Sequence, residues 1–217
     1  MNRISIRTLA IGIFLCFFST ACLRNSPNDL PKLKKRFQAQ IEDFETQKEK
    51  ANKRVANGLE ELDALQKALN DARKIDKEFN RVYGKWEQVN KKVEDLYREY
   101  EQLKKRANDL FTAIETQVNS LQDAQNKNDL REALRRNRNE YDKTLANTEA
   151  AIDKLRGLHN EAIDIIKALE AAVAIGQIAE INEGLRGIQD RVGVIMQELN
   201  TTVEESKRLY NNRIGEV

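Results

Sequence analysis

Few residues in this chain could do chemistry, and their spacing is unfavourable for catalysis. His159 is the single histidine, and no second His or Cys accompanies it as a zinc ligand or catalytic partner. The acidic pairs Glu60–Glu61 and Glu204–Glu205 are adjacent on predicted helices, where neighbouring side chains point apart. The sequence has neither a glycine-rich phosphate loop nor a nucleophile elbow. We therefore predict no enzymatic activity, no metal and no cofactor, with His159 packed as a polar residue in a helix seam.

Cys22 is the residue whose surroundings most clearly indicate a covalent modification. Arg3 and Arg7 precede an apolar run at residues 9–18 (LAIGIFLCFF), and the small residues Ser19-Thr20-Ala21 separate that run from Cys22. A positively charged start, a short apolar run and small residues at its end are typical of a secretory signal peptide. The run is too short for a stable membrane span.

The segment Ser19-Thr20-Ala21-Cys22 resembles the lipobox of bacterial lipoproteins, with Ser19 where that class usually has leucine. The resemblance implies that residues 1–21 are a lipoprotein signal peptide cut off by signal peptidase II. It also implies that Cys22 carries a diacylglycerol as its lipid attachment. Two alternatives remain open, namely an uncleaved N-terminal anchor and cleavage after Ala21 by the ordinary signal peptidase.

The same resemblance implies a location in the bacterial cell envelope. In enteric bacteria, lipoproteins without Asp after the cysteine go to the outer membrane, and Leu23 follows Cys22 here. A periplasm-facing position on the outer membrane is therefore preferred over the inner membrane. Cys16 would leave with residues 1–21, so Cys22 would be the only cysteine of the mature chain and could form no intramolecular disulfide.

The overall charge excludes general nucleic-acid binding, but two local clusters are basic. The net charge of +2 comes from 37 Lys and Arg against 35 Asp and Glu, and removal of residues 1–21 takes away Arg3 and Arg7. A neutral mature chain lacks the positive surface that phosphate backbones require. The first basic cluster, which could touch anionic lipid headgroups, is Lys32, Lys34, Lys35 and Arg36. The second, which could bind an acidic partner or cell-wall polymer, is Lys127, Arg131, Arg135, Arg136 and Arg138. For both clusters, an ordinary solvated helix face is the simpler interpretation.

The elements that must position these residues are long helices. Charged residues make up 33% of the chain and aromatic residues 6%, and no proline follows Pro31. From Ile75 to Ile114 the apolar residues alternate in steps of four and three, which places them on one helix face, with Leu121 one heptad beyond. The members of this apolar stripe are Ile75, Phe79, Val82, Trp86, Val89, Val93, Leu96, Tyr100, Leu103, Ala107, Leu110 and Ile114.

The clearest turn signal lies at residues 126–129 (NKND), where Asp129 is the predicted N-cap and Glu132 its capping-box partner. A second apolar stripe follows and shifts phase near Gly176, and the earlier stripe slips near residue 73. We predict an all-α fold in which residues 22–31 are a tether and residues 32–217 are a long-helix coiled-coil domain. Two arrangements remain open: an elongated antiparallel hairpin, and an extended bundle of four shorter helices if the chain breaks near residues 73 and 176.

The predicted function is that of a non-enzymatic, lipid-anchored coiled-coil protein of the bacterial envelope. It would act as a scaffold, spacer or adaptor, held to the membrane by its lipid and contacting another envelope protein or itself through helix faces. The alternative is a cell-wall or surface ligand-binding module that uses the basic residues at the helical turn. Neither function calls for a nucleic acid or a small-molecule substrate.

Overall fold

Four helices form the described part of this computed structural model, which covers residues 30–68, 75–175 and 182–208. They are α1 (Leu30–Ala68), α2 (Ile75–Asn119), α3 (Ala124–Ile175) and α4 (Asn182–Arg208). No strand occurs in these ranges, so the all-α prediction is confirmed. None of the four described helices combines the length and the apolarity that a membrane crossing would need.

The helices run up, down, up and down, and α4 packs back against α1 to close the bundle. In each neighbouring pair, rising residue numbers in one helix meet falling numbers in the other, as antiparallel packing requires. The contacts are Glu61–Arg81 and Gln40–Glu99 between α1 and α2, Glu94–Arg156 and Phe111–Tyr141 between α2 and α3, Lys154–Glu198 and Tyr141–Ser206 between α3 and α4, and Lys48–Asn200 and Glu45–Lys207 between α1 and α4. Of the two arrangements left open by the sequence, the structure has the extended bundle. The predicted breaks near residues 73 and 176 fall in 69–74 and 176–181, outside the described residues.

The core lies along the axis of the bundle and contains the predicted stripe of α2. Every stripe member from Phe79 to Leu110 is buried, and Ile114 is partly buried against the same core. Trp86, the chain's single tryptophan, is 1% exposed and packs in this core, as the heptad spacing predicts. Burial of these side chains along one continuous face explains why α2 pairs with a neighbour on either side.

Gly58 is a close-approach point between α1 and α2. An Asn-Gly pair such as Asn57-Gly58 commonly marks a turn, yet Gly58 lies inside α1. A Cβ atom at this position would lie 3.2 Å from both Trp86 Cε2 and Val89 Cγ2. The missing side chain therefore makes room for the Trp86 indole, and the glycine is explained by packing rather than by a turn.

The turn between α2 and α3 lies at residues 120–123, earlier than the predicted 126–129. Asp123 is the N-cap of α3, because its Oδ1 accepts a hydrogen bond of 2.7 Å from the backbone N–H of Asn126. The predicted N-cap, Asp129, is wrong: it lies inside α3 and its carboxylate accepts from the Gln125 side chain at 3.0 Å. The sequence misled because Leu121 extended the α2 stripe by a heptad, whereas Leu121 lies in the turn and is 37% exposed.

Candidate functional surface at the hairpin end

The interior of the bundle is largely apolar in the described ranges, and His159 is one of its few buried polar residues. No three His, Cys, Asp or Glu side chains in those ranges lie together as a metal site would require. His159 is 8% exposed, and its ring centroid lies 6.5 Å from that of Trp86. The buried atoms His159 Nδ1 and Trp86 Nε1 have no hydrogen-bond partner among the residues that the structure describes. The seam position predicted for His159 is confirmed, and its ring packs against a core aromatic.

One end of the bundle brings together the start of α1, the end of α2, the start of α3 and the end of α4. We call it the hairpin end. Tyr141 of α3 marks its inner boundary, since its ring packs 6.0 Å from both Phe37 and Phe111 and its hydroxyl lies 3.3 Å from Ser206 Oγ. Beyond this layer α3 extends about ten residues farther than α1, which is roughly 15 Å at 1.5 Å per residue. The α2–α3 hairpin therefore projects past the first residue of α1.

Two of the five predicted binding residues at the turn hold the hairpin closed. Lys127 Nζ donates to the backbone carbonyl of Asn119 at 2.5 Å. Arg131 donates through Nε and Nη2 to Asn119 Oδ1 at 2.8 and 2.6 Å. Asn119 is the last residue of α2, and a cation at a helix C-terminus is stabilised by the helix dipole. These two side chains thus have a structural role that the sequence did not reveal.

The other three basic residues of the turn cluster differ in the contacts that their side chains make. Arg136 pairs with Glu132 at 2.9 Å. The Arg138 guanidinium lies 6.0 Å from the Phe111 ring centroid, a cation–π contact across the hairpin. Arg135 is exposed and makes no hydrogen bond or ion pair with another described residue. The structure brings all five to one hairpin but leaves Arg135 as the member free to meet a ligand.

The first basic cluster, Lys32, Lys34, Lys35 and Arg36, lies at the same level of the bundle. Because Phe37 packs on Tyr141, these four residues lie at the level of the turn of α3 that contains Arg135 and Arg138, although α1 and α3 are diagonal in the bundle. None of the four forms an ion pair within the described ranges, and the first turn of α1 has no acidic residue. Partial burial lowers the pKa of the Lys34 ammonium. The start of α1 therefore holds four cations that form no ion pair with the other residues that the structure describes.

The packing between α2 and α3 is fixed by polar contacts at the rim of the core. Arg156 binds Glu94 through two bonds of 2.7 and 2.9 Å, and its guanidinium lies 4.2 Å from the Tyr97 ring centroid. The hydrogen bond from Arg156 holds the pKa of the Glu94 carboxyl below its ordinary value. The Tyr100 hydroxyl lies 3.0 Å from a Glu149 oxygen, and burial together with this carboxylate raises the pKa of Tyr100. These groups set the register of the two helices.

A groove between α3 and α4 is a second candidate surface. The sequence patterns did not indicate the α3 residues that line it. It has a volume of about 500 Å³ and is lined in part by Gly157, Leu158 and Val194. Val194 is 58% exposed although it is apolar, and neither Gly157 nor Gly193 would meet an atom within 4 Å if it carried a Cβ. Gly157 falls outside the apolar stripe, so periodicity gave no signal for it.

A comparison with known proteins identifies the family of this chain. The family described as "Protein of unknown function (DUF2959)" matches residues 32–212, which is most of the chain and includes all but the first two residues of the bundle. No curated protein and no solved structure matches the chain. The chain therefore belongs to the DUF2959 family.

Proposed function

We propose that this DUF2959 protein is a non-enzymatic, lipid-anchored helical protein of the bacterial cell envelope, which acts as a scaffold, spacer or adaptor. The observation that carries the proposal is the segment Ser19-Thr20-Ala21-Cys22, directly after an apolar run and two basic residues. Several acyl chains on Cys22 would hold the protein firmly, since each buried methylene contributes roughly 0.8 kcal/mol.

The four-helix bundle supports the spacer and adaptor role by its dimensions. Its longest helix, α3, has 52 residues and a length of roughly 78 Å. Ion pairs such as Lys154–Glu198 and Arg156–Glu94 link successive helices along this length. A long body with cross-linked helices keeps its two ends at a fixed separation, which is what a spacer requires, and presents lateral helix faces to a partner protein.

The ligand-binding alternative receives less support from the turn cluster. Lys127 and Arg131 are bound to Asn119, and Arg136 is paired with Glu132. A ligand at the turn would have to compete with these internal contacts. In the adaptor proposal, replacing Arg135 with Gln leaves partner binding unchanged, whereas a ligand-binding module would lose affinity.

Mass spectrometry of the protein purified from bacterial membranes tests the proposal. Wild-type chain should begin at Cys22 with a diacylglycerol on the sulfur. The Cys22→Ala variant should lack the lipid and keep its leader, because lipobox cleavage requires the modified cysteine. Cys16→Ala is the matched control, since it lies in the apolar run and should be processed like wild type. A wild-type chain with an unmodified Cys22 would refute the proposal.

A further inference from the structure

We propose that the hairpin end binds the phosphate headgroups of anionic lipids through a basic collar. The collar consists of Lys32, Lys34, Lys35 and Arg36 at the start of α1 and Arg135 on α3. The contact would press this end of the bundle onto the membrane surface and so fix its orientation. The inference rests on the proposed lipid anchor for what keeps the protein near a bilayer, but the charge contact itself is independent of the lipid.

The first argument is the electrostatic state of the collar in the free protein. Four of the first seven residues of α1 are cations, and none has an ion pair in the described ranges. Cations elsewhere commonly find a partner, as Arg81 does with Glu61 and Lys207 with Glu45. Neighbouring cations repel one another, and the N-terminal half of a helix dipole adds further positive potential. An anionic surface would relieve this repulsion, whereas water and salt only screen it.

The second argument is the position of the collar in the bundle. Phe37 packs on Tyr141, so the α1 cations and Arg135 lie at one level although they are far apart in sequence. Lysine and arginine are the side chains that bind phosphate oxygens most strongly. The collar thus offers phosphate donors from two separate helices in one cross-section of the bundle.

The third argument is the length of chain between Cys22 and the bundle. Residues 22–29 precede α1, and eight residues can extend at most roughly 28 Å. The hairpin projects roughly 15 Å beyond the start of α1, so this chain is long enough for the hairpin end to meet the headgroups. The opposite end of the 39-residue α1 lies roughly 58 Å away, beyond that reach. A lipid on Cys22 would therefore bring the hairpin end, and not the far end, to the membrane, and the collar meets the headgroups when the bundle tilts so that the projecting hairpin does not hold it away.

Flotation of the full chain with lipid vesicles tests the contact. All proteins carry Cys22→Ala, so no acyl chain contributes and the leader is common to every sample. The collar variant replaces Lys32, Lys34, Lys35 and Arg36 with Gln. The control variant makes the same change of charge with Lys50, Lys53, Lys77 and Lys91, which are exposed and lie away from the hairpin end. Vesicles contain phosphatidylcholine alone or mixed with phosphatidylglycerol, and circular dichroism verifies that each variant keeps its helical content.

We expect the collar variant to lose between about tenfold and about 600-fold in partition onto the anionic vesicles, because four cations are replaced and each contributes up to about fivefold. Adding Arg135→Gln should lower the partition further. The control variant should lose less than about threefold, and neither variant should differ from its parent on phosphatidylcholine alone. Equal losses in the collar and control variants, or no loss in either, would overturn the proposal.

The two proposals fail separately. An unmodified Cys22 in wild-type protein, together with a collar-dependent partition, removes the lipid anchor and supports the headgroup contact. A lipidated Cys22 without any collar dependence overturns the headgroup contact and leaves the anchor in place.

Discussion

Replacing Gly58 with alanine should destabilise the bundle, although the same change normally stabilises a helix. Removing a glycine from a helix interior gains about 0.8–1.0 kcal/mol. At Gly58 the new methyl group would lie 3.2 Å from both Trp86 Cε2 and Val89 Cγ2, closer than ordinary van der Waals contact. Both neighbours are 1% exposed, so neither can move into solvent. Overpacking of this kind costs about 1–3 kcal/mol, which leaves a net loss of about 0–2 kcal/mol.

Gly84→Ala is the matched control for this prediction. Gly84 lies inside α2, is exposed, and a Cβ there would meet no atom within 4 Å. Its replacement should therefore keep the whole propensity gain of about 0.8–1.0 kcal/mol. Urea unfolding followed by far-ultraviolet circular dichroism measures both variants. The two free energies of unfolding should differ by about 1–3 kcal/mol, with Gly84→Ala the more stable.

A Trp86→Phe background separates the two causes of the loss. Phenylalanine lacks most of the ring that approaches Gly58, whereas the contact with Val89 Cγ2 at 3.2 Å remains, so Gly58→Ala should be less destabilising in that background than in the wild-type chain. If Gly58→Ala stabilised the wild-type chain as much as Gly84→Ala does, the close approach of α1 to the indole would be refuted.

Three further predictions concern polar groups. At neutral pH, Glu94→Gln should lower the free energy of unfolding by about 0.5–1 kcal/mol, because the Arg156 pair is partly exposed. Since the pKa of Glu94 is lower in the folded protein, this contribution to stability is full above the pKa of the unfolded chain and disappears as the pH falls through the folded-state pKa. Urea midpoints measured over a pH series should therefore converge for the two proteins in acid. A constant difference between the midpoints would contradict the assignment. Asp123→Ala should cost about 1 kcal/mol in thermal or urea unfolding, whereas Asp129→Ala should change little, and equal costs would mean that α3 is capped elsewhere. Tyr100→Phe should cost about 1 kcal/mol in the same assay, because it removes the hydroxyl beside Glu149, and an unchanged midpoint would show that this contact is not stabilising.

Helix type and the buried face of α2 could be predicted from the sequence because both depend on local spacing. Alternating steps of four and three put Val82, Trp86 and Leu103 on one face whatever the neighbour is, and all three are buried. The α2–α3 turn could not be located in the same way. Both 120–123 and 126–129 contain capping residues, and the choice depends on contacts across the hairpin such as Arg131 with Asn119. Such contacts join residues whose pairing is unknown until the fold is known.

The basic surface at the hairpin end could likewise be predicted only in part from the sequence. The two basic clusters are visible as charge in the sequence, and both lie at the hairpin end. What periodicity could not supply is their common level, which depends on Phe37 meeting Tyr141 across the bundle. It also could not show that Lys127 and Arg131 bind the last residue of α2. A side chain's availability for a partner is a property of tertiary packing, not of residue type.

The even number of helices in the bundle has a consequence for its two ends. A chain that crosses an axis four times ends on the side where it started, and Lys207 accordingly contacts Glu45 in the same half of the bundle as Leu30. In a chain held by Cys22, a fluorescent protein or affinity tag joined after Arg208 would therefore lie in the half of the bundle that faces the membrane. The distal end, where α1 and α3 finish, would be the part presented away from that membrane.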